Sequence, residues 1–181
     1  MHLVARSPSA HALHFRAYLA REIADGVVPA LPTFDLALQQ AQTAAVRANV
    51  LNLRACARVQ LYALDSGVED GQAALVLALR AADDQVTADI VSTLATALSM
   101  LDRHGEAAAL MARHWPVVER LPDPGSSFFT ERGLVCGNAG RPHEGREFHR
   151  RAIEIARRRG DHSEAMIASQ NLAASCVDTG E

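Results

Sequence analysis

Lysine is missing altogether: all 18 basic residues of this 181-residue chain are arginine. A GC-rich coding sequence accounts for that, and the absence removes the Lys-Ser/Thr ending that a phosphate-cradling P-loop requires. Aromatics are scarce at 4%, so the interior has to be built from small and aliphatic side chains. The three cysteines, Cys56, Cys136 and Cys176, are far apart and form no C-x-x-C pair, which indicates neither a zinc site nor a redox motif. Buried thiols in a reducing compartment are the reading for all three. No apolar run approaches the roughly 18 residues a membrane span needs, and the amino end lacks a charged-then-apolar signal pattern, so a cytoplasmic location is expected. A formal charge of −3 and a pI near 6.2 give no global electrostatic case for nucleic acid or an anionic membrane. Sustained period-2 alternation is absent as well, which argues against strands.

What the chain has is alanine and helical periodicity. A hydrophobic content of 49% suits one packed globular domain over 1–181, and alanine-rich faces let helices approach closely. Ser9 can cap a first helix with an apolar stripe of Leu13, Ala17, Ala20 and Ala24. Pro29 and Pro32 follow, then a long helical tract from Thr33 or Asp35 with one break near Gln42. Gly67 and Gly71 read as loop punctuation before a short apolar helix, QAALVLALRAADD. Further helices cover VTADIVSTLATALSMLDRHG and EAAALMARHWPVVERL, and the second ends before LPDPG. Ser126 or Ser127 can cap the next one, Pro142 sits where a first helical residue tolerates proline, and two helices separated by Gly160-Asp161 complete 144–181.

Aligning these pieces exposes a period. Leu94-Ala95-x-x-Leu98, Arg132-Gly133-x-x-Cys136 and Leu172-Ala173-x-x-Cys176 occupy the same place in successive first helices. Gly105-Glu106-Ala107 and His143-Glu144-Gly145 open the helices that follow with matching spacing, and Gly71-Gln72-Ala73 holds that place one repeat earlier. The repeating unit is a helical hairpin of about 40 residues. The expected organisation is N-terminal helices in 1–42, hairpins in 43–85, 86–124 and 125–161, and the first helix of a further repeat in 162–181.

Over 52–181 these residues resemble the tetratricopeptide repeat family, whose first helix carries Leu-Gly-x-x-Tyr and whose second carries Ala followed four residues later by a large residue. Ala107 with Met111 and Gly145 with His149 match the second pattern. The period is longer than the family's 34, and its aromatics and closing proline are missing. The resemblance implies an all-α superhelix of hairpins, a non-catalytic module for protein interaction or signal relay, and no cofactor. Lengthened repeats of this kind look like those of bacterial multidomain regulators, which places the chain in the N-terminal part of a transcriptional regulator, histidine kinase or diguanylate cyclase. First helices of the family line a groove for a peptide or partner helix. By alignment the groove positions are Asn52, Val59, Tyr62, Asp89, Ser92, Thr96, Ser99, Thr130, Leu134, Asn138, Gln170 and Asp178, a small, polar and weakly acidic lining. The lysine-containing clamp that holds a terminal carboxylate in some members cannot be built here.

Other chemistry is weaker. Arg146, Arg150, Arg157 and Arg158 offer a basic patch for an acidic partner, an anionic ligand or nucleic acid, but Glu147 and Glu154 stand four residues before Arg151 and Arg158 in the order of a solvated helix face. His11 with His14, and His143, His149 and His162, match no metal-binding pattern. No serine or cysteine is grouped with a base, so no enzyme is expected. The apolar face of the last helix suggests pairing with a second copy of the chain, unless the sequence continues into the mate of that helix.

Overall fold

A computed structural model describes residues 31–178. Among them are eight helices and no strands: α1 Leu31–Gln40, α2 Ala44–Gln60, α3 Leu64–Ala81, α4 Asp84–Met100, α5 His104–Arg120, α6 Ser126–Asn138, α7 Pro142–Arg159 and α8 His162–Asp178. The Ser9-capped helix and the His11/His14 pair lie outside the described residues. Contacts gather into two compact units that divide between Ala97 and Leu98, in the last turn of α4.

Local chemistry sets most boundaries. Thr43 accepts a hydrogen bond from the Val46 amide at 3.2 Å and starts α2, where the break near Gln42 was expected. Asp83 and Asp161 do the same for α4 and α8, accepting from Val86 and Glu164 at 3.0 Å each. Pro142 opens α7, where its missing N–H costs nothing. Ser126 and Ser127 do not cap α6: Gly125 holds the capping position, and Ser126 is already helical and buried. Pro116 sits inside α5 on its exposed side, where the carbonyl it leaves unpaired can turn to water.

The hairpin turns are copies of one another. Tyr62, Asp102 and Gly140 adopt left-handed φ of 57°, 57° and 76°. After each, the next amide donates back to the carbonyl of Arg58, Leu98 or Cys136, at 2.9 Å in all three cases. Tyr62 and Asp102 accept a conformation that costs roughly 1–2 kcal/mol without glycine, so the closed turn outweighs the strain. Ala82 and Gly160 repeat the device after α3 and α7.

Gly67 and Gly71 correct the sequence reading. They do not break the chain, because 64–81 is one continuous helix. Both are packing glycines: a Cβ at Gly71 would lie 2.6 Å from Leu94 Cδ2, and one at Gly67 would lie 3.1 Å from Val59 Cγ2. Helix α3 therefore starts well before Gly71, and Gly67, not Gly71, is the counterpart of Ala107 and Gly145. Those three positions are buried. At Gly67, against Val59, and at Gly145, against the Gly133 carbonyl, the small residue lets the two helices of its hairpin close together.

In the unit before Ala97 the core is Phe34, Val50, Ala55, Ala74, Ala78, Ile90 and Leu94. A polar network ties α1, α2 and α3 at its side. Arg54 donates to both oxygens of buried Asp70 at 2.7 Å and also reaches Asp35, while Arg58 meets Asp70 at 2.8 Å. In the unit after Leu98 the core is aromatic. Trp115 of α5 stands edge-on to Phe129 of α6 and Phe148 of α7, with ring centres 5.3 and 5.2 Å apart. Arg132 of α6 lies over the Trp115 and Phe148 rings at 4.6 and 4.8 Å.

Candidate functional site

Within the second unit, α6, α7 and α8 enclose a pocket of about 460 Å³. Leu134, Gly137 and Asn138 of α6 form one wall, Asn171 and Ser175 of α8 face them, and Gly133 and His149 lie at the floor. Its formation begins with a glycine. The place held by Ala55, Ala95 and Ala173 in the other first helices is Gly133 here, and a Cβ on it would come within 2.6 Å of His149 Nδ1. The missing methyl makes room for the imidazole.

His149 is 2% exposed, and its Nδ1 has no hydrogen-bond partner among the described residues. Burial pushes its pKa below the ordinary histidine value, so the ring is neutral at pH 7. Every lining side chain is uncharged. The pocket thus offers amides and a neutral imidazole beside glycine backbone, which suits uncharged hydrogen-bonding groups better than a carboxylate or an ammonium. Arg146 approaches from behind: its guanidinium reaches the Ser175 carbonyl at 3.3 Å and His143 Nδ1 at 2.6 Å, which ties α7 to α8.

The aligned groove positions are distributed unevenly. Leu134 and Asn138 line this pocket; Gln170 is exposed on α8 outside it. Thr130 is buried and donates to the Ser126 carbonyl at 3.3 Å, so it presents nothing to a ligand. Ser99 is half-buried. Asp178 ends α8, and its side chain lies outside the described residues. In the first unit Asn52 and Val59 are core residues, which corrects their placement in the lining. Asp89, Ser92 and Thr96 belong to α4; Ser92 and Thr96 are half-buried there. Asp89 accepts from Gln85 at 3.0 Å, and burial raises its pKa. Tyr62 is exposed but stands in the turn after α2.

The basic patch loses one member: Arg146 is 2% exposed. Arg150 pairs with Glu147, and Arg158 lies 3.9 Å from Glu154. Arg157 is exposed and pairs with no carboxylate among the described residues. Cys136 is buried, and burial pushes its thiol up to about 11, the behaviour of a packing residue. His149, Asn171, Ser175 and Gly137 were missed as lining residues. The one sequence signal was Gly133, which departs from alanine at a repeated place and foretells a neighbour in the space of its methyl.

No family model matches the sequence, and no curated protein sequence does either. Solved structures are similar in fold. BtubC (BKLC) from P. vanneervenii aligns with TM-score 0.77 at 17% identity, over 94% of this chain and 72% of that one. A kinesin-light-chain-type array of TPR-like repeats from Podosopora anserina aligns with TM-score 0.72 at 14% identity, over 94% of this chain and 86% of the other. A Rap protein complexed with competence and sporulation factor aligns with TM-score 0.70 at 12% identity; the match covers 93% of this chain and 54% of the Rap protein. The fold is accordingly that of tetratricopeptide-like helical repeats, in the all-α superhelix class. No described helix is long and apolar enough to cross a membrane.

Proposed function

We propose that this chain is a non-catalytic module that binds a protein or peptide partner, using the pocket between α6, α7 and α8 to hold uncharged groups of an extended segment. The observation that carries the reading is the pocket's composition: Asn138, Asn171 and neutral His149 stand among its lining residues, with no charged side chain. A peptide backbone supplies alternating donors and acceptors that such a lining can meet. The Rap neighbour, complexed with competence and sporulation factor, supports the reading by fold likeness alone. The finer proposal is signal relay in the N-terminal part of a larger bacterial regulator, a transcriptional regulator, histidine kinase or diguanylate cyclase, as the lengthened repeat implies. Exposed Met166 and Ile167 support a homodimer through α8, which sedimentation over a range of concentrations tests directly.

The pocket is tested by selecting displayed random peptides on the folded protein and on Asn138→Leu/Asn171→Leu. Enrichment of neutral, amide-rich sequences on the parent, lost on the double variant, is the expected result. Selection of the same peptides by both proteins, or of none by either, removes the reading.

A further inference from the structure

Two departures from the repeat meet in the pocket between α6, α7 and α8. Where the preceding repeat has Ala95 and Met111, this one has Gly133 and His149. Each exchange weakens the fold by itself: glycine is less favourable than alanine inside a helix, and a buried imidazole nitrogen without a hydrogen bond is more costly than a thioether. The three atoms nearest the missing Gly133 methyl are His149 Cε1, Nδ1 and Nε2, at 2.4, 2.6 and 2.8 Å. The polar edge of the ring is therefore turned to Gly133, which lines the pocket, and Nδ1 bonds to nothing among the described residues. A buried polar atom left unmet calls for a partner that the chain itself does not supply.

Depth decides what that partner is. Asn138 is exposed and Asn171 half-buried, whereas His149 is 2% exposed. A peptide main chain held at the two asparagines stops short of the imidazole, so a side chain has to reach it. The way is open beside α6, because a Cβ on Gly137 would meet nothing within 4 Å. Bare helix backbone at Gly133 and Gly137 accepts a flat group. A carboxylate, ammonium or guanidinium would be buried there without a counter-charge, since no charged side chain lines the pocket. A primary carboxamide is flat and uncharged, and it carries both donors and an acceptor, so it serves Nδ1 in either tautomer of the ring.

We propose that the pocket reads one side-chain carboxamide of the bound segment, from glutamine or asparagine, with His149 Nδ1 as its hydrogen-bond partner and the α6 backbone at Gly133 and Gly137 against its flat face. The proposal rests on the peptide-binding reading above and narrows it to one side chain and one atom.

The test uses protein with isotopically labelled histidine, followed by nitrogen NMR, and three probes: N-acetylglutamine methylamide and its methionine and glutamate counterparts. The glutamine probe is expected to shift the His149 Nδ1 resonance and to bind about tenfold more tightly than either counterpart, the worth of one hydrogen bond to a buried group. The double variant Gly133→Ala/His149→Met restores the residues of the preceding repeat, and it is expected to melt at a higher temperature than the parent while binding the glutamine and methionine probes alike. Equal affinities in the parent, no binding of any probe, an unmoved His149 Nδ1 resonance, or a glutamine preference that survives in the double variant overturns the proposal. So does a double variant that melts lower than the parent, because His149 is then a packing residue. None of these outcomes removes the wider reading, which falls only if displayed peptides are not selected or ignore Asn138 and Asn171.

Discussion

Arg54 and Arg132 occupy the same place in their first helices, two repeats apart, and both are largely buried, yet they are held by opposite means. Arg54 is neutralised: Asp70 takes two of its N–H groups at 2.7 Å, and Asp35 takes a third. Arg132 is stacked between the faces of Trp115 and Phe148, its nearest carboxylate is Glu144 at 3.6 Å, and its Nε and one terminal nitrogen make no hydrogen bond among the described residues. A guanidinium can be taken from water by exchanging hydration for carboxylates or for aromatic faces. The first leaves a matched charge on each side, so losing either partner strands the other. The second leaves donors unmet but strands nothing when the arginine is removed.

The comparison breaks most sharply at Asp70. Asp70→Ala leaves Arg54 and Arg58 partly buried without their shared carboxylate, and a loss of about 3 kcal/mol is expected in denaturant unfolding. Arg54→Met is expected to cost a similar amount, because it leaves Asp70, with a side chain 7% exposed, with Arg58 as its one remaining arginine. Arg132→Met should cost no more than about 1 kcal/mol, since the lost cation–π attraction is offset by removing buried donors that bond to nothing. Equal losses at Arg54 and Arg132 would show that the two environments hold a guanidinium equally well.

The smallest expected effect is pH-dependent. Burial lowers the folded pKa of His149, so the unfolded chain takes up the proton first. Stability in the second unit is then full above about pH 6.5, the ordinary histidine value, and declines as the pH falls below it. Asp89 in the first unit has the opposite sign: its raised pKa means the folded state takes the proton first, so its contribution improves as the solution becomes acidic. Hydrogen exchange followed residue by residue from pH 7 down to about pH 4, the ordinary aspartate value, separates the two units. His149→Leu is expected to make the decline in the second unit shallower, with His114, whose pKa burial also lowers, carrying the remainder, and to leave the first unit unchanged.

Much of the helical plan was legible because it is written in local chemistry. Thr43, Asp83, Asp161, Pro142 and Gly160 mark helix ends by capping rules that act within a few residues. The Arg132-Gly133-x-x-Cys136 and Leu172-Ala173-x-x-Cys176 copies fall near the ends of α6 and α8, at matching places. Gly67 and Gly71 were misread because a glycine that breaks a helix and one that admits a neighbour have the same local appearance. Only Leu94 and Val59, which meet them through the fold, distinguish the two cases.

The candidate site was legible in fragments. Leu134 and Asn138 followed from the resemblance to the repeat family's groove positions, whereas Asn52 and Thr130 hold equivalent aligned places and are buried. Register specifies a face of a helix but not how deeply neighbouring helices cover it. Reading the residues in order was enough to establish an all-helical chain, the start and stop of most helices, and the recurrence of hairpins, because those follow from contacts within a turn or two. Packing alone settled which arginines are buried and by what, and that Gly133 yields its space to His149. Those facts depend on side chains from different helices arriving at the same point, and no local rule carries that information.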